Sequence, residues 1–364
     1  MTGRVKRIFD NLEEDVDLIV LINHIDPLLD QAFFYVTGYE TGLFEAGVAF
    51  LYPDGKCEAI VSKLEETSAR KGNIPLNIPS SREEYEAMIE KGLKGADRIG
   101  LHYNELIHSR FKLLEKKAAP NSTFLDCTRA INKARAIKDK DEVERIRCAC
   151  DISSRVASEI PSFLHDGVRE YEVAAEMEYR MKKMGADCVS FSTISSFGKN
   201  TAEPHYNAGG LALEKNVFAL FDYGATYKRY VSDITRTFFY GRASKEDREM
   251  YETVQDAQQI GFDAIEPGKK MCEPHDEVAS FIDGTRFKGR FIHSLGHGIG
   301  LSVHESFIGF MPNMEDRIEP GMVITVEPGI YLPGHGGVRI EDDILVKKNG
   351  IEILTKADKD FLEV

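Results

Sequence analysis

Residues 221–238 read FDYGATYKRYVSDITRTF, and what they imply turns on two aspartates, Asp222 and Asp233. The run NVFALFD, ending at Asp222, is short and apolar, while ITRTFFY, following Asp233, is rich in β-branched and aromatic residues. Both read as strands. A tight turn at Tyr227-Lys228 would place positions 222 and 233 directly opposite each other in an antiparallel pair. Opposed residues in such a ladder have Cβ atoms roughly 4.5–5.5 Å apart, and like charges there repel. Two carboxylates set so close beside a buried strand call for something positive between them. A metal ion would serve, and the rest of the chain must then supply its other ligands.

A second strand–turn–strand unit repeats the pattern. In MVITVEPGIYLPGHGGVRIEDDILV, residues 322–346, folding about Gly334 sets Glu327 opposite Glu341. Alternation puts Val338, Ile340, Ile344 and Val346 on one face and Arg339, Glu341 and Asp343 on the other. Between the two units lies FIHSLGHGIGLSVHE, which carries His293, His297 and His304 on a glycine-rich backbone able to approach a site closely. Four carboxylates and one imidazole suit Mn, Co, Zn or Fe better than a thiolate site would, and they carry too much negative charge for one ion. Two divalent cations roughly 3.5–4 Å apart, sharing carboxylates and a water, would balance the set.

Composition frames this reading. At 364 residues the chain is too long for one ordinary core, and two domains are expected. Hydrophobic residues make up 42 % of the chain and tryptophan is absent. With 60 acidic and 46 basic residues the net charge is −14, which argues against a nucleic-acid partner. The N-terminal stretch has no uninterrupted apolar core or small-residue cleavage pattern, so no signal peptide is expected. No apolar run approaches the length of a membrane span. Cys57, Cys127, Cys148, Cys150, Cys188 and Cys272 are scattered without a CxxC pair, as expected for reduced thiols in a cytoplasmic protein.

The first third alternates strand-like runs (DLIVLI, GVAFLYP, CEAIVS, DRIGLH) with charged helical stretches, an α/β rhythm. The charged segment KARAIKDKDE marks a linker, giving an N-terminal domain over 1–136 and a second over 137–364. Asp139 or Asp141 would cap the helix that follows, whose buried face holds Val143, Ile146, Ala149 or Cys150, Ser153, Val156 and Ile160. A second helix stops at Gly185 and a third at the Pro-Gly of EPGKK. With strands between and after them, the last two-thirds read as α+β, helices packed on an antiparallel sheet.

The opening stretch, together with HSLGHGIGLSVHE, EPGIY and GGVRIEDD, resembles the motifs of the pita-bread metallopeptidases: methionine aminopeptidase, aminopeptidase P and prolidase (Xaa-Pro dipeptidase). The resemblance covers about residues 140–364 and, taken in order, is highly specific. DQAFFYVTGYE and KARAIKDKDEVERIR resemble the creatinase-like N-terminal domain and linker of the proline-directed branch. The resemblance implies that Asp222 binds one metal, that Asp233 and Glu341 bridge two, and that His297 and Glu327 complete the second. It makes Glu327 also the general base on the bridging water and His304 the stabiliser of the oxyanion. His205, in EPHYNAG, and His293 would touch substrate near the scissile bond, and Arg339 would support binding by holding the carboxylate network. It also implies two divalent ions (Mn, Co or Zn), a short peptide substrate with proline second, and a homodimer. These roles match what peptide hydrolysis needs: an acidified water, a base within reach of it and donors aimed at the developing oxyanion.

Other polar residues have plainer readings. A lone Asp at a strand end is more often a turn-former, and only the pairing and the motif lift Asp222 above that. His24, His102, His108, His165 and His275 lie outside any motif and are read as surface or packing residues. His335 reads as part of a solvated turn, Glu305 and Asp343 as supporting residues, and Arg236 as an ion-pair partner. Prolidases that accept only dipeptides commonly carry an Arg shortly after the equivalent of VHE; here VHESFIGFMPN has none before Arg317. That tilts the expectation toward an Xaa-Pro aminopeptidase over a dipeptidase. A creatinase-like C–N hydrolase and a catalytically silent pita-bread binding module are the alternatives, and the intact ligand set disfavours both.

Overall fold

The computed structural model describes residues 2–364, with only the backbone of Ser306 and Phe307. The chain forms two compact units, one ending at Arg135 and the other spanning Ala136–Val364.

The first unit is built on a mixed six-stranded sheet. Its strand order is Leu76–Asn77, Cys57–Ile60, Val48–Leu51, Leu18–Ile22, Arg98–Leu101, Thr123–Asp126. The strand Leu18–Ile22, LIVLI, is buried at every position because it lies inside the sheet and is covered on both faces. It pairs antiparallel with Val48–Leu51 and parallel with Arg98–Leu101. Ile89, Leu93 and Leu114, from the helices Arg82–Leu93 and His108–Lys117, close the core over Val20, Phe50 and Leu101. His102 proves to be an interior residue: its Nδ1 lies 3.0 Å from Asp30, which also caps the helix Gln31–Thr37.

In the second unit the helix Lys140–Glu159 starts at a reciprocal cap, with the Asp139 side chain accepting Glu142 N–H and Glu142 accepting Asp139 N–H. Its buried face includes Val143, Ile146, Ala149, Cys150, Ser153 and Val156. The helix Glu170–Lys183 ends before Gly185, which adopts φ +104°. The helix Lys245–Ala264 ends before Pro267. A fourth helix, Cys272–Asp283, was not expected from the sequence, where Pro274 argues against it; the proline sits in the first turn, where its missing N–H costs nothing.

Each pair of helices covers a sheet. Val156, Met177 and Met181 pack on Ala219, Phe221 and Ile234, from a three-stranded sheet of Ile194–Phe197, Val217–Tyr223 and Ile234–Tyr240. Val254, Ala257, Val278 and Ile282 pack on Ile324, Val326 and Ile344, from a five-stranded sheet. That sheet runs Glu305–Phe310, Gly296–Gly298, Val323–Val326, Asp342–Val346, Ile351–Ile353. The architecture is the pita-bread α+β fold.

Register decides where the acids point. Val217–Tyr223 and Ile234–Tyr240 pair so that Asp222 faces Thr235, not Asp233 as the sequence reading had it. The turn falls one residue later, at Lys228-Arg229, which follows the closing pair Tyr227↔Tyr230 and has φ 47° and 71°. Asp233 therefore stands diagonal to Asp222 on the same face. Gly224 is required here, because a Cβ would lie 1.8 Å from the Ser232 carbonyl oxygen. In the second unit of the pattern, Val323–Val326 with Asp342–Val346 and Gly329–Leu332 with Gly336–Arg339 are two ladders in one continuous register about Gly334. Glu327 and Glu341 lie in the gap between them, facing each other.

Candidate metal centre

The two sheets deliver these side chains to one cavity of about 920 Å³, lined by Asp222, Asp233, His297, Glu327 and Glu341. Ligand atoms of Asp233, His297 and Glu341 all lie within 4.8 Å of one another. His297 Nε2 is 3.6 Å from both Asp233 Oδ2 and Glu327 Oε1, too long for hydrogen bonds. His297 reaches this point from a strand of three residues, Gly296–Gly298, set between two neighbours. The fit needs Gly296, where a Cβ would meet the Thr325 carbonyl oxygen at 1.9 Å. A register shift between His297 and Gly298 re-aims the imidazole.

The electrostatics of this cluster are unfavourable without a cation. Burial, reinforced by Glu341, Asp222 and other neighbouring acids, pushes Asp233 well above the usual carboxylate range. Burial and Glu327 do the same to Glu341. Glu327 is pushed up to about 8 by burial, against the pull of Arg339. Burial takes His297 down to about 3, so its ring is neutral and can offer a lone pair. Asp222 Oδ1 and Asp233 Oδ1 are buried with no hydrogen-bond partner among the described residues. Orphaned carboxylate oxygens beside a neutral imidazole form a donor set suited to hard or borderline divalent cations, and the residues present fit such ions.

Supporting contacts fix the set. Arg339 donates from Nη2 to Asp222 Oδ2 at 2.5 Å, from Nη1 to Tyr331 Oη at 2.8 Å and from Nε to Thr235 Oγ1 at 3.0 Å. Thr235 donates to Glu341 Oε2 at 2.6 Å. His293 Nε2 lies 2.9 Å from the same Tyr331 hydroxyl. Sequence reasoning missed Thr235 and Tyr331 as working residues, although alternation along ITRTFFY places Thr235 two residues from Asp233 on one face. Thr325 Oγ1, also missed, accepts the His297 N–H at 3.0 Å.

His205, His293 and His304 line the same cavity, with the His304 ring 4.1 Å from that of His297. Partial desolvation, then the nearby His205, lowers the pKa of His304. His335 stands elsewhere: its Nε2 is 2.8 Å from Asp247, at the start of the helix Lys245–Ala264. Arg236 is an ion-pair residue, 2.7 Å from Asp342 with both side chains buried. All six cysteines are free.

The chain belongs to metallopeptidase family M24, whose model matches residues 144–348. The model of the creatinase/prolidase N-terminal domain matches residues 4–137. It is therefore a hydrolase of the metallopeptidase class, a family that works on peptides with divalent metal ions. A putative dipeptidase of Bacillus subtilis is 34 % identical over 90 % of this chain and 92 % of its own length. Among solved structures, an Xaa-Pro dipeptidase from Bacillus anthracis is 32 % identical, with TM-score 0.90 over 100 % of this chain and 99 % of that one. An X-Pro aminopeptidase from Thermotoga maritima is 28 % identical, with TM-score 0.90 over 99 % and 100 %. The fold is shared by dipeptidases and aminopeptidases alike and does not separate them.

Proposed function

We propose that the protein is an Xaa-Pro exopeptidase that uses two divalent ions (Mn, Co or Zn) to cleave the bond between an N-terminal residue and proline. The observation that carries this reading is the convergence of Asp233, His297 and Glu341 within ligand distance of one another, with Asp222 and Glu327 in the same cavity. Asp222 would hold one ion, His297 and Glu327 the other, and Asp233 and Glu341 both. When bound, the ions would acidify a water and polarise the scissile carbonyl.

The chain's own groups supply the remainder. Glu327 is the base that takes the proton from the attacking water. His304 donates to the oxygen on which negative charge develops. His205 and His293 contact the substrate near the scissile bond, and the Tyr331 hydroxyl fixes the His293 ring. Arg339 acts through Asp222, since its guanidinium is already committed to Asp222, Tyr331 and Thr235. Phe191, Ile194, Ile292, Val303, Ile308 and Met311 give the cavity an apolar lining suited to a proline ring.

Arg339 is also the one lysine or arginine among the described residues of that lining. A dipeptide's carboxylate would thus meet no uncommitted cation, which favours a substrate continuing beyond proline and hence an aminopeptidase. The names of several relatives point the other way, so the assay must contain both substrates. Protein loaded with Mn or Co is expected to cleave an Xaa-Pro-Xaa tripeptide faster than an Xaa-Pro dipeptide; the reverse order makes it a dipeptidase. Asp233→Ala should abolish both activities and strip most bound metal, and full occupancy in that variant sinks the bridging role. The reading includes a cytoplasmic homodimer, which light scattering and cell fractionation test. No helix among the described residues is long and apolar enough to cross a membrane.

A further inference from the structure

Away from the metal centre, one carboxyl group is fully buried without a cationic partner. Glu170, the first residue of the helix Glu170–Lys183, is 0 % exposed and pairs with no lysine or arginine among the described residues. Instead both of its oxygens are filled by hydrogen-bond donors. Oε1 accepts the Phe197 N–H and the Asn200 amide, each at 2.9 Å. Oε2 accepts the Tyr206 hydroxyl at 2.9 Å and the Gly209 N–H at 3.2 Å. Asn200 also donates to the Tyr206 oxygen at 2.8 Å. Every one of these donors comes from residues 197–209, the segment that carries His205 into the cavity.

The far side of this segment is anchored too. Thr201 Oγ1 accepts the Gly337 N–H at 2.6 Å, tying the loop to the strand Gly336–Arg339. The approach is close enough that a Cβ on Gly337 would meet the Thr201 carbonyl oxygen at 2.2 Å. On the near side, the Gly209 carbonyl accepts Tyr171 N–H at 3.1 Å and the Leu211 carbonyl accepts Glu170 N–H at 3.2 Å. The loop is thus strung between the start of a helix and the strand that bears Arg339, and Glu170 lies at its centre.

We propose that Glu170 is a positioning residue whose carboxyl group holds the 197–209 loop in the one conformation that presents His205 to the substrate. An acceptor with two oxygens and no N–H is what the arrangement demands. A glutamine could satisfy Phe197 and Asn200 but would point its own NH₂ at the Gly209 N–H. The position at the positive end of a helix offsets part of the cost of burying the group. Tyr206 links this contact to the site, because it is bonded to His205 in sequence and to Glu170 in space.

The inference rests on the reading of His205 as a substrate contact, and a double-mutant cycle tests the two separately. The measurements are kcat/KM on an Xaa-Pro-Xaa tripeptide, bound Mn by elemental analysis, and amide exchange across residues 197–209. Glu170→Gln is expected to lower kcat/KM by about tenfold with metal content unchanged, and to add less than about twofold once His205→Ala is present. Exchange at Phe197 and Gly209 should accelerate. Losses that multiply across the cycle, or loss of metal in step with activity, overturn the proposal, since Glu170 would then be supporting the domain at large. If His205→Ala has no effect by itself, the role of His205 fails, and unchanged exchange in Glu170→Gln then overturns the clamp, whereas faster exchange confined to 197–209 upholds it. Tyr206→Phe, which deletes one oxygen, runs the same cycle should Glu170→Gln not fold.

Discussion

Asp343 Oδ2 accepts the backbone N–H of Asp233 at 2.9 Å, so one buried carboxyl group sets the orientation of the peptide that carries another. The Cys150 thiol, from the helix Lys140–Glu159, lies 3.3 Å from the same oxygen. This contact joins the residue just before the strand Ile234–Tyr240 to the strand Asp342–Val346, which follows Glu341.

Asp343→Ala should leave the Asp233 N–H buried and unpaired, at a cost of about 1–3 kcal/mol. Thermal unfolding and bound metal are both expected to fall. Asp343→Asn keeps a carbonyl acceptor and should retain most of both. Equal losses in the two variants would show that charge, rather than the hydrogen bond, is what matters there.

His304 lies beside His297 in the cavity, and its proposed role predicts a specific kinetic pattern. His304→Ala should lose roughly 10²–10³-fold in kcat, the usual size for removing one oxyanion donor, while metal content stays near normal. A change confined to KM would make it a substrate-positioning residue. Metal lost in proportion to activity would place it in the coordination set.

Metal removal exposes the repulsion within the cluster. Glu327 sits at about 8 in the folded chain against an ordinary 4.5, so the native state holds this proton more tightly than the unfolded state. Stability from that source is present below about 4.5 and is lost as pH rises through 8. In chelator, Glu327→Gln should therefore match the wild type near pH 4.5 and melt higher than it near pH 8. Added Mn should reverse the order at pH 8. A difference in melting temperature that does not change with pH would contradict this account.

One pair of the candidate ligands could be placed from the sequence, because Glu327 and Glu341 sit at symmetric spacings about a turn. The Gly334 turn announces itself, and Glu327 and Glu341 follow from it. The first turn did not, since left-handed backbone at Lys228-Arg229 uses neither of the residues, Asn and Gly, that normally signal it. The turn was therefore misplaced by one residue and the pairing by two, so Asp222 and Asp233 still share a face. Pro274 hid a helix because a proline within a pattern reads as a breaker unless the helix start is already known. Thr235, Tyr331 and Glu170 were invisible for a different reason: hydrogen bonds between distant segments leave no local periodicity.

The buried acids of the cavity have a consequence for the cell as well as for the reaction. Ions that bind the folded chain and not the unfolded one add to its stability by mass action. With the proposed ions in place, scarcity would therefore shorten the lifetime of the polypeptide, because unfolded molecules are the ones that proteases remove. Metal supply would then set how much of the protein accumulates, and starvation would deplete the enzyme instead of storing it in an idle form.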